Sequence, residues 1–509
     1  MSLRTPTLRA ILKSLALVAL AVCAVSIVRL SFNEGFFVAQ DEGILLVYPD
    51  LILRGYVPYR DFAALYPPAD FYIIAGLFRV FGESIHVERS LAAAYWCLLL
   101  VAAYLVGSRV NRLTGSLAAV AVLAYLSVSW SLGAHTHFGA YVCILFAMAL
   151  AGRDFEGNAS LTTHVLVLTG TIAGTTLCFK QDFGMVAIAS TLVASNPFKP
   201  HRLLAFFRGV AIPVCALAIF AVFVGPAAVF DSLILDPMRA APGRVLPLNP
   251  GWGFAVILAC IAIQCFTVVR ARSPRVPFQL VWLARGMATF SVGHFLVLLH
   301  RTSSDDILID GFLIICFTVV SVPILLLQEG IDHQQRTVTT VAIFLASLIP
   351  VGILKLADRG ADYPWHWVSS KGRTVPMIDP NASWSSDLQR LVDEINRLSR
   401  GGEKVFVGLS DLRFAWHNDT YIYYLFPQLQ PASRYLEMNP GCANRADSGL
   451  SDQLLSADWL ILTRRFDVWH EPNASMVPGP AVPNEVVRTH FCTRGHYGPW
   501  DLLQRCDSD

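Results

Sequence analysis

The sequence predicts a polytopic α-helical membrane protein that carries a C-terminal extracytoplasmic α/β domain. Of its 509 residues, 54% are hydrophobic and only 15% are charged, and the mean hydropathy is +0.52. About a quarter of the residues of a soluble domain are charged, so a chain this apolar would not dissolve as an ordinary globule. Apolar runs fill residues 1–356, whereas residues 357–509 have the mixed composition of a folded outer domain. The net charge of +2 does not indicate a nucleic-acid partner.

Apolar runs of about 20 residues, the length that crosses the hydrocarbon core of a bilayer, recur along the first part of the chain. Hydropathy predicts about eleven transmembrane helices, give or take two. The predicted spans are 9–30, 89–108, 115–132, 138–152, 162–179, 183–195, 208–226, 251–270, 279–299, 307–327 and 337–356. A cleaved signal peptide is the alternative for residues 1–30, but the run is long and further spans follow it, so we expect it to be a span.

Basic residues predict the orientation of the chain. Arg4, Arg9 and Lys13 place the N-terminus in the cytoplasm, because positively charged segments stay inside. Alternate later loops carry further basic residues, which are Arg109, Arg112, Arg153, Lys199, Arg202, Arg208, Arg270, Arg272, Arg275 and Arg336. All of them fall on the inner side if no span is missed. We therefore expect a multi-pass protein of the cytoplasmic membrane with its N-terminus inside and its C-terminus outside.

The first outer loop, residues 31–88, predicts two interfacial helices that lie along the membrane surface. "GFFVAQDEGILLVYPDLILRG" has apolar residues at helical spacing and ends at Gly55, with Asp41 and Glu42 at its start. "GYVPYRDF" predicts a turn that holds Asp61 close to Arg60. "YPPADFYIIAGLFRVFG" predicts a second helix that is opened by prolines. Two such helices can frame a shallow pocket at the level of the lipid headgroups.

Other polar clusters fall on the same predicted outer face. They are "GAHTHFG" with His135 and His137, "FKQDFG" with Lys180 and Asp182, "DPMRAAPGR" with Arg239 and Arg244, and "LLHRTSSDD" with His300 and Arg301. A transporter is expected to place ionisable groups near the bilayer midplane. Here the middles of the spans are almost entirely apolar, with His294 as the main exception. The pattern predicts chemistry at the outer interface.

Residues 357–509 predict alternating helices and strands. "SWSSDLQRLVDEINRLSRGGEKVFVGLSD" has the pattern of an amphipathic helix, with Ser386 and Gln389 as a capping box and Gly401 as its stop, followed by a strand. "DSGLSDQLLSADWLIL" repeats this order. "TYIYYLF" predicts a second helix, "RYLEM" a second strand, and "EVVRTHF" with "WDLLQR" an edge. The alternation indicates a partly parallel sheet. No GxGxxG motif follows a strand, so no nucleotide-binding fingerprint is present.

Three of the eleven cysteines, Cys442, Cys492 and Cys506, lie outside the apolar runs. If this part of the chain is extracytoplasmic, two of them can form a disulfide and the third remains a thiol. The sequence does not choose the pair.

The order of "DEG", "PYRDF" and "YPP" after one span resembles the membrane-embedded GT-C glycosyltransferases. The similarity is to the bacterial branch that is often labelled glycosyltransferase family 39 or RgtA/B/C/D-like. It covers roughly residues 30–90, with "FKQDFG" at 179–184 as a second, weaker match. The resemblance implies an inverting transferase that moves a sugar from a polyprenyl-phosphate donor to a hydroxyl of a lipid or polysaccharide acceptor in the cell envelope.

The resemblance also implies roles for the acidic residues. Asp41 would be the general base that takes the proton of the acceptor hydroxyl, with Glu42 as its neighbour or alternate. Asp61 would orient Arg60 or the acceptor. Two adjacent carboxylates can also hold a divalent metal, Mg or Mn, and Asp41 and Glu42 would be its ligands. No other cofactor is expected.

Cationic residues of the same face are the candidates for binding the donor phosphate. They are Arg60, Lys180 and Arg301, since a cation stabilises a leaving phosphate well in a water-poor site. His300 and Asp182 are candidates for acid–base chemistry or for contact with the acceptor.

Each of these assignments has a structural alternative. The helix dipole favours acids at a helix start in any case, and Lys180 and Arg301 at span ends can simply extend toward the interface. Two other functions also fit the composition. A transporter or flippase of lipid-linked saccharides predicts an inverted repeat and charged midplane residues, and neither is evident. A non-enzymatic membrane scaffold predicts no dependence on Asp41.

Overall fold

The computed structural model describes residues 25, 32, 35, 39–128, 133–153, 159–196, 199–247, 251–270, 274–299, 306–358, 364–379, 383–468 and 470–506. The predicted span 9–30, apart from Val25, lies outside the described residues, and so do His300 and Arg301.

Helices dominate the part of the chain before the outer domain. In chain order they are α1 (Ala39–Leu53), α2 (Ala69–Phe81), α3 (Ile85–Ser108), α4 (Arg112–Leu126), α5 (Thr136–Leu150), α6 (Ala159–Phe179), α7 (Gln181–Ala194), α8 (Pro200–Val224), α9 (Pro226–Phe230), a π-helical turn (Asp231–Leu235), α10 (Asp236–Arg244), α11 (Trp252–Arg270), α12 (Phe278–Leu298), α13 (Asp306–Asp310), α14 (Phe312–Gln328) and α15 (His333–Asp358).

Among the described residues, six helices are long and apolar enough to cross a membrane. These are α3, α6, α8, α11, α12 and α15, and the shorter apolar helices are α4, α5, α7 and α14. Every predicted span from 89–108 to 337–356 overlaps one of them. The chain is therefore a polytopic helical membrane protein, as the hydropathy predicts.

Helix α1 differs from the prediction of a helix on the membrane surface. It ends at Leu53, and Gly55 follows with a φ of 92°, as the glycine stop predicts. However, Leu45 and Leu46 are no more than 1% exposed, and so are most of their neighbours up to Leu51. The C-terminal domain covers the helix, since a Cβ on Gly43 would lie 2.7 Å from the backbone nitrogen of Tyr421. Helix α1 is thus enclosed by protein.

Helix α2 has the pattern that a surface helix needs. Pro68 is its N-cap residue, in keeping with the predicted proline start. Phe71, Ile74 and Phe78 are buried. Its opposite face is exposed, and Phe81 at its end is 70% exposed. Helix α2 thus has one buried and one exposed face, and its position at the interface stays a prediction.

The C-terminal part of the chain contains a hairpin and a five-stranded sheet. The hairpin pairs β1 (Trp365–Ser370) with β2 (Arg373–Ile378) in antiparallel fashion. The other elements are α16 (Trp384–Leu398), β3 (Lys404–Leu409), a 3-10 helix (Thr420–Leu425), β4 (Gln430–Pro431), α17 (Leu450–Leu455), β5 (Trp459–Thr463), a 3-10 turn (Ala474–Met476), α18 (Val482–His490), β6 (Phe491–Tyr497) and β7 (Trp500–Arg505). The sheet order is β4-β3-β5-β7-β6, with β3 parallel to β4 and β5. Strands β5–β7 and β7–β6 pair antiparallel, so the sheet is partly parallel, as predicted.

Several predicted elements of this domain are different in the structure. "TYIYYLF" forms a 3-10 helix and not an α-helix, "EVVRTH" lies in α18, and "WDLLQR" is the interior strand β7. "RYLEM" is not a strand. Its backbone is held instead by a side chain, because Asn418 donates to the Leu436 carbonyl at 2.9 Å and accepts from the Met438 N–H at 3.1 Å. The side-chain amide of Asn418 thus makes hydrogen bonds that a neighbouring strand would otherwise make.

The predicted capping box at the start of α16 is also wrong. The N-cap residue is Ser383, and the carboxylate of Asp379 accepts from the N–H groups of Trp384 and Ser385 at 2.9 Å and 3.3 Å. Gln389 instead binds strand β1, where its side chain accepts from the Ser369 N–H at 2.8 Å. The helix start is therefore capped from outside the predicted motif.

The structure also selects the disulfide. Cys492 and Cys506 are bonded and link the two adjacent strands at the end of the chain. Cys442 is a buried free thiol whose sulfur contacts the carbonyl of Asp236 at 3.4 Å.

Candidate functional site

The two acids at the start of α1 have different environments. Asp41 is exposed, whereas the side chain of Glu42 is 1% exposed. Arg89 binds both carboxylate oxygens of Glu42, with Nε 2.7 Å from Oε1 and Nη2 3.2 Å from Oε2. Arg89 is fully buried and also donates to the carbonyl of Phe32 at 2.9 Å. The pair neutralises two buried charges. Asp41 is therefore the acid of the two that remains open to a substrate.

Further buried carboxyls lie behind this ion pair. Asp70 accepts from the Tyr95 hydroxyl at 2.5 Å, and Glu88 accepts from the N–H of Ala134. The second oxygen of each has no hydrogen-bond partner among the described residues. Burial raises the pKa of Asp70 to about 7, although the hydrogen bond from Tyr95 lowers it. An acid of this kind is protonated more readily than an ordinary carboxyl, which reduces the cost of its burial.

His135 is influenced by charges from two distant parts of the chain. It immediately precedes α5, and its ring stacks on that of His137 with centroids 5.4 Å apart. Burial lowers the pKa of His135, the charges of Asp41 and Glu42 raise it, and the ammonium of Lys180 lowers it. Asp41 and Lys180 thus both lie within electrostatic range of one imidazole.

Lys180 lies at the junction between α6 and α7. It is the N-cap residue of α7, and its ammonium lies 4.4 Å from the centre of the Phe183 ring. The next residue, Gln181, donates to the carbonyls of Leu65 and Leu233, each at 3.2 Å. Gln181 therefore ties this segment to the first outer loop and to the π-helical turn.

Asp182 and His294 surround the same segment. The carboxylate of Asp182 accepts from the N–H of Phe183 at 2.9 Å, at the N-terminal end of α7. The Phe183 ring lies 4.8 Å from that of His294, which is fully buried. Tyr141 bonds to both His294, at 3.2 Å, and the Asp310 carbonyl, at 2.9 Å. His294 therefore belongs to the packed layer beneath Lys180.

Arg60 and Asp61 form an exposed pair of their own. Nε and Nη2 of Arg60 each lie 3.0 Å from an oxygen of Asp61, which also accepts from the Val57 N–H at 2.7 Å. The Arg60 guanidinium holds the pKa of Asp61 below its usual value. The turn is tight, with Tyr59 at a φ of 70°. The predicted contact of Asp61 with Arg60 is confirmed, whereas their roles toward donor and acceptor stay predictions.

A metal held by Asp41 and Glu42 does not fit this arrangement. Both oxygens of Glu42 are engaged by Arg89, so chelation by the two acids would displace a buried guanidinium. No group of three or more His, Cys, Asp or Glu side chains that could hold a metal is found in the described part of the chain.

Arg89, His135 and Gln181 are site residues that sequence reasoning did not select. Glu88 and Arg89 are a charged pair at the start of an otherwise apolar span, and that signal is available in the sequence. The partner of Arg89 lies 47 residues earlier, and no local pattern identifies it.

Comparison with solved structures identifies the fold as that of the GT-C membrane glycosyltransferases. An oligosaccharyltransferase of Archaeoglobus fulgidus, solved with Zn and sulfate, matches with a TM-score of 0.53 at 12% identity over 94% of this chain and 71% of that chain. ArnT from Cupriavidus metallidurans, bound to undecaprenyl phosphate, matches with a TM-score of 0.51 at 12% identity over 97% of this chain and 98% of that chain. No protein-family model and no curated protein sequence matches the chain. The narrower resemblance to glycosyltransferase family 39 stays a prediction.

Proposed function

We propose that this protein is an inverting glycosyltransferase that moves a sugar from a polyprenyl-phosphate donor to a hydroxyl of a lipid or polysaccharide acceptor. The reaction takes place at the outer face of the cytoplasmic membrane, with the N-terminus inside and the C-terminus outside. One observation supports the proposal within a GT-C fold: the charges of the exposed Asp41 carboxylate and of the Lys180 ammonium both act on the imidazole of His135.

In this mechanism Asp41 accepts the proton of the acceptor hydroxyl as the oxygen attacks the anomeric carbon. The bond from that carbon to the phosphate oxygen breaks, and the polyprenyl phosphate leaves with the electron pair. A positioned base of this kind contributes typically ~10²–10⁴-fold to the rate. Lys180 stabilises the charge that grows on the phosphate, since a cation held in a water-poor site needs no reorganisation. A single displacement inverts the configuration of the sugar.

The other side chains of the site act on Asp41 and Lys180 or on the substrates. Glu42 positions Asp41 by anchoring the first turn of α1 to Arg89. The exposed pair of Arg60 and Asp61 contacts the acceptor or the donor phosphate. His300 and Arg301 remain assigned to acid–base chemistry and phosphate binding.

The class of donor is supported by the bound lipid of one structural neighbour. ArnT from Cupriavidus metallidurans was solved with undecaprenyl phosphate. A lipid-phosphate sugar suits an enzyme with its catalytic residues at a membrane surface, because nucleotide sugars are not supplied outside the cytoplasm.

The test is a transfer assay with the full chain reconstituted in lipid, radiolabelled polyprenyl-phosphate sugars and cell-envelope acceptors. Asp41→Asn is compared with Asp452→Asn, which changes another exposed aspartate in the first turn of a helix. We expect Asp41→Asn to lower the transfer rate by about 10²-fold or more. Asp452→Asn should transfer as the wild type does.

Two results would remove the proposal. Equal transfer by the Asp41→Asn and Asp452→Asn proteins would exclude Asp41 as the base. No transfer from any donor by a folded wild-type protein would favour a membrane scaffold. A Lys180→Gln variant adds a second check, because it should slow the chemical step while the acceptor KM stays near the wild-type value.

A further inference from the structure

A cavity of about 600 Å³ opens between the end of α2 and the tip of the β1–β2 hairpin. Arg79 and Glu83 line it from one side, and Lys371 and Arg373 line it from the other. It lies apart from Asp41, which is not among its lining residues. The cavity is polar and open, so a soluble or headgroup-level ligand can reach it.

The cations of the cavity are not equivalent. Arg373 is already neutralised, since its guanidinium is 2.6 Å from Asp50 and also bonds to Glu83. Arg79 and Lys371 are exposed, and neither has a hydrogen bond or an ion pair among the described residues. Two positive charges therefore face the opening without a protein anion. An anionic ligand would supply the missing charge.

The hairpin tip holds Lys371 at the rim. Lys371 and Gly372 have φ angles of 47° and 83°, the left-handed conformation that a two-residue hairpin turn requires. The adjoining strands pair in regular register from Ser370 and Arg373 onward. Lys371 is thus presented by a defined turn and not by a loose loop.

The position of the cavity relative to the membrane follows from the helix that begins beside it. Ser84 caps α3, the 24-residue apolar helix, with its Oγ accepting from the His86 N–H at 3.1 Å. Glu83 of the cavity is the residue before this cap. The ring of Trp367 in β1 packs 5.6 Å from that of His86, and Trp367 is 38% exposed. Tryptophan is enriched where a span meets the headgroups, so the cavity lies at headgroup level.

Exposed apolar side chains continue this surface toward the hydrocarbon. Val80 and Phe81, the last residues of α2, are 72% and 70% exposed. These two exposed apolar side chains directly follow the cationic Arg79 in the sequence. This combination suits an amphiphile whose phosphate is charged and whose chains are apolar, and it suits a free phosphate less well.

We propose that this cavity binds the phosphate of an anionic phospholipid headgroup through Arg79 and Lys371, and so docks the outer hairpin onto the membrane. The inference goes beyond sugar transfer and does not depend on it, because the ligand is neither donor nor acceptor. Basic residues at an anionic membrane surface each strengthen binding by about fivefold. The hairpin carries Arg373, which binds Asp50 of α1, so lipid binding at the tip also steadies the helix that bears Asp41.

The experiment measures acylation of Lys371 by an amine-reactive reagent in the full chain, with mass spectrometry as the readout. The protein is placed in nanodiscs of phosphatidylcholine alone, of phosphatidylcholine with phosphatidylglycerol, or of phosphatidylcholine with added glycerol phosphate. We expect Lys371 to react about fivefold more slowly with phosphatidylglycerol only. Lys404, which begins β3 outside the cavity, is the internal control and should react at one rate throughout.

A matched pair of variants separates a built site from general attraction to an anionic surface. Arg79→Gln should remove most of the protection of Lys371, while Arg488→Gln, which changes an exposed arginine of α18, should keep it. Both arginines are exposed, so the melting temperature should not change. The proposal is overturned if Lys371 reacts equally in both lipids, if Arg79→Gln keeps full protection, or if glycerol phosphate protects as well as the lipid does.

Discussion

Arg373 and Asp50 are joined at 2.6 Å across 323 positions of the sequence, and both side chains are almost fully buried. The guanidinium also bonds to Glu83 and donates to the Tyr424 carbonyl at 2.9 Å. One residue of the outer domain thereby holds α1, the end of α2 and the 3-10 helix together. The outer domain is part of the support of the candidate site.

Replacing Arg373 with glutamine should destabilise the protein strongly. The substitution leaves the buried carboxylate of Asp50 without its main cation, and breaking such a pair costs about 3 kcal/mol or more. The control is Arg397→Gln, because Arg397 and Glu394 form an exposed pair one helical turn apart. Its loss should leave the melting temperature close to the wild-type value, because water screens an exposed ion pair. Unfolding of both variants is measured in detergent by circular dichroism. Equal melting temperatures would contradict the finding.

The ion pair of Arg89 with Glu42 should respond to single and double substitution in opposite ways. Arg89→Gln leaves a buried carboxylate uncompensated and should lower the free energy of unfolding by about 3–5 kcal/mol. Glu42→Gln added to it removes that charge and should recover much of the loss, which a double-mutant cycle measures. The double variant should transfer sugar more slowly than the wild type but faster than Asp41→Asn, because it keeps the carboxylate of Asp41 and loses only the anchor that positions it. Transfer abolished as fully as in Asp41→Asn would instead make Glu42 the base.

The buried carboxyl of Asp70 should make stability depend on pH. Its pKa is raised from 3.8 to about 7 by burial, so the folded state binds a proton that the unfolded state has already lost above about pH 4. The stabilisation is complete below about pH 4 and is lost as the pH rises through about 7, with a total of about 4 kcal/mol. Asp70→Asn should flatten the melting temperature across this range. Asp452→Asn should keep the wild-type slope, and equal slopes in all three proteins would refute the assignment.

The disulfide between Cys492 and Cys506 should stabilise the outer domain. It closes a loop with a sequence separation of 14, for which the chain-entropy estimate is about 3 kcal/mol. The Cys492→Ser/Cys506→Ser protein should therefore melt at a lower temperature than Cys442→Ser, which removes a free thiol. Without reductant, peptide mapping should recover residues 492 and 506 in one cross-linked species. Alkylation of both cysteines in the oxidised native protein would contradict the bond.

The helical framework could be predicted because the bilayer imposes a length and a composition on each span. The same physics explains α16 and β3, where an amphipathic period and a short apolar run follow each other. The prediction of a strand at "RYLEM" is wrong because the buried Tyr435, Leu436 and Met438 have the pattern of a strand. The hydrogen bonds of this segment come instead from the side chain of Asn418. A side chain that substitutes for a strand leaves no periodic pattern.

The candidate site was predictable only in part. Asp41, Lys180 and the Arg60–Asp61 turn were selected from residue type and predicted side, and the charges of the first two both act on His135. The burial of Glu42 was not foreseeable, since its partner Arg89 lies within a span that hydropathy treats as apolar. The burial of α1 has the same origin, because residues from a distant domain return to cover it.

The contact between Gly43 and Tyr421 limits how this protein could be divided. A Cβ at Gly43 would meet the backbone of Tyr421 at 2.7 Å, and backbone cannot yield as a flexible side chain does. The helix that bears Asp41 therefore packs directly against the backbone of the C-terminal part of the chain at this point. A chimera carrying a foreign C-terminal domain, or a chain cut before this domain, would expose apolar residues of α1 such as Leu45 and Leu46 to solvent. We therefore expect the two parts of the chain to require each other for folding.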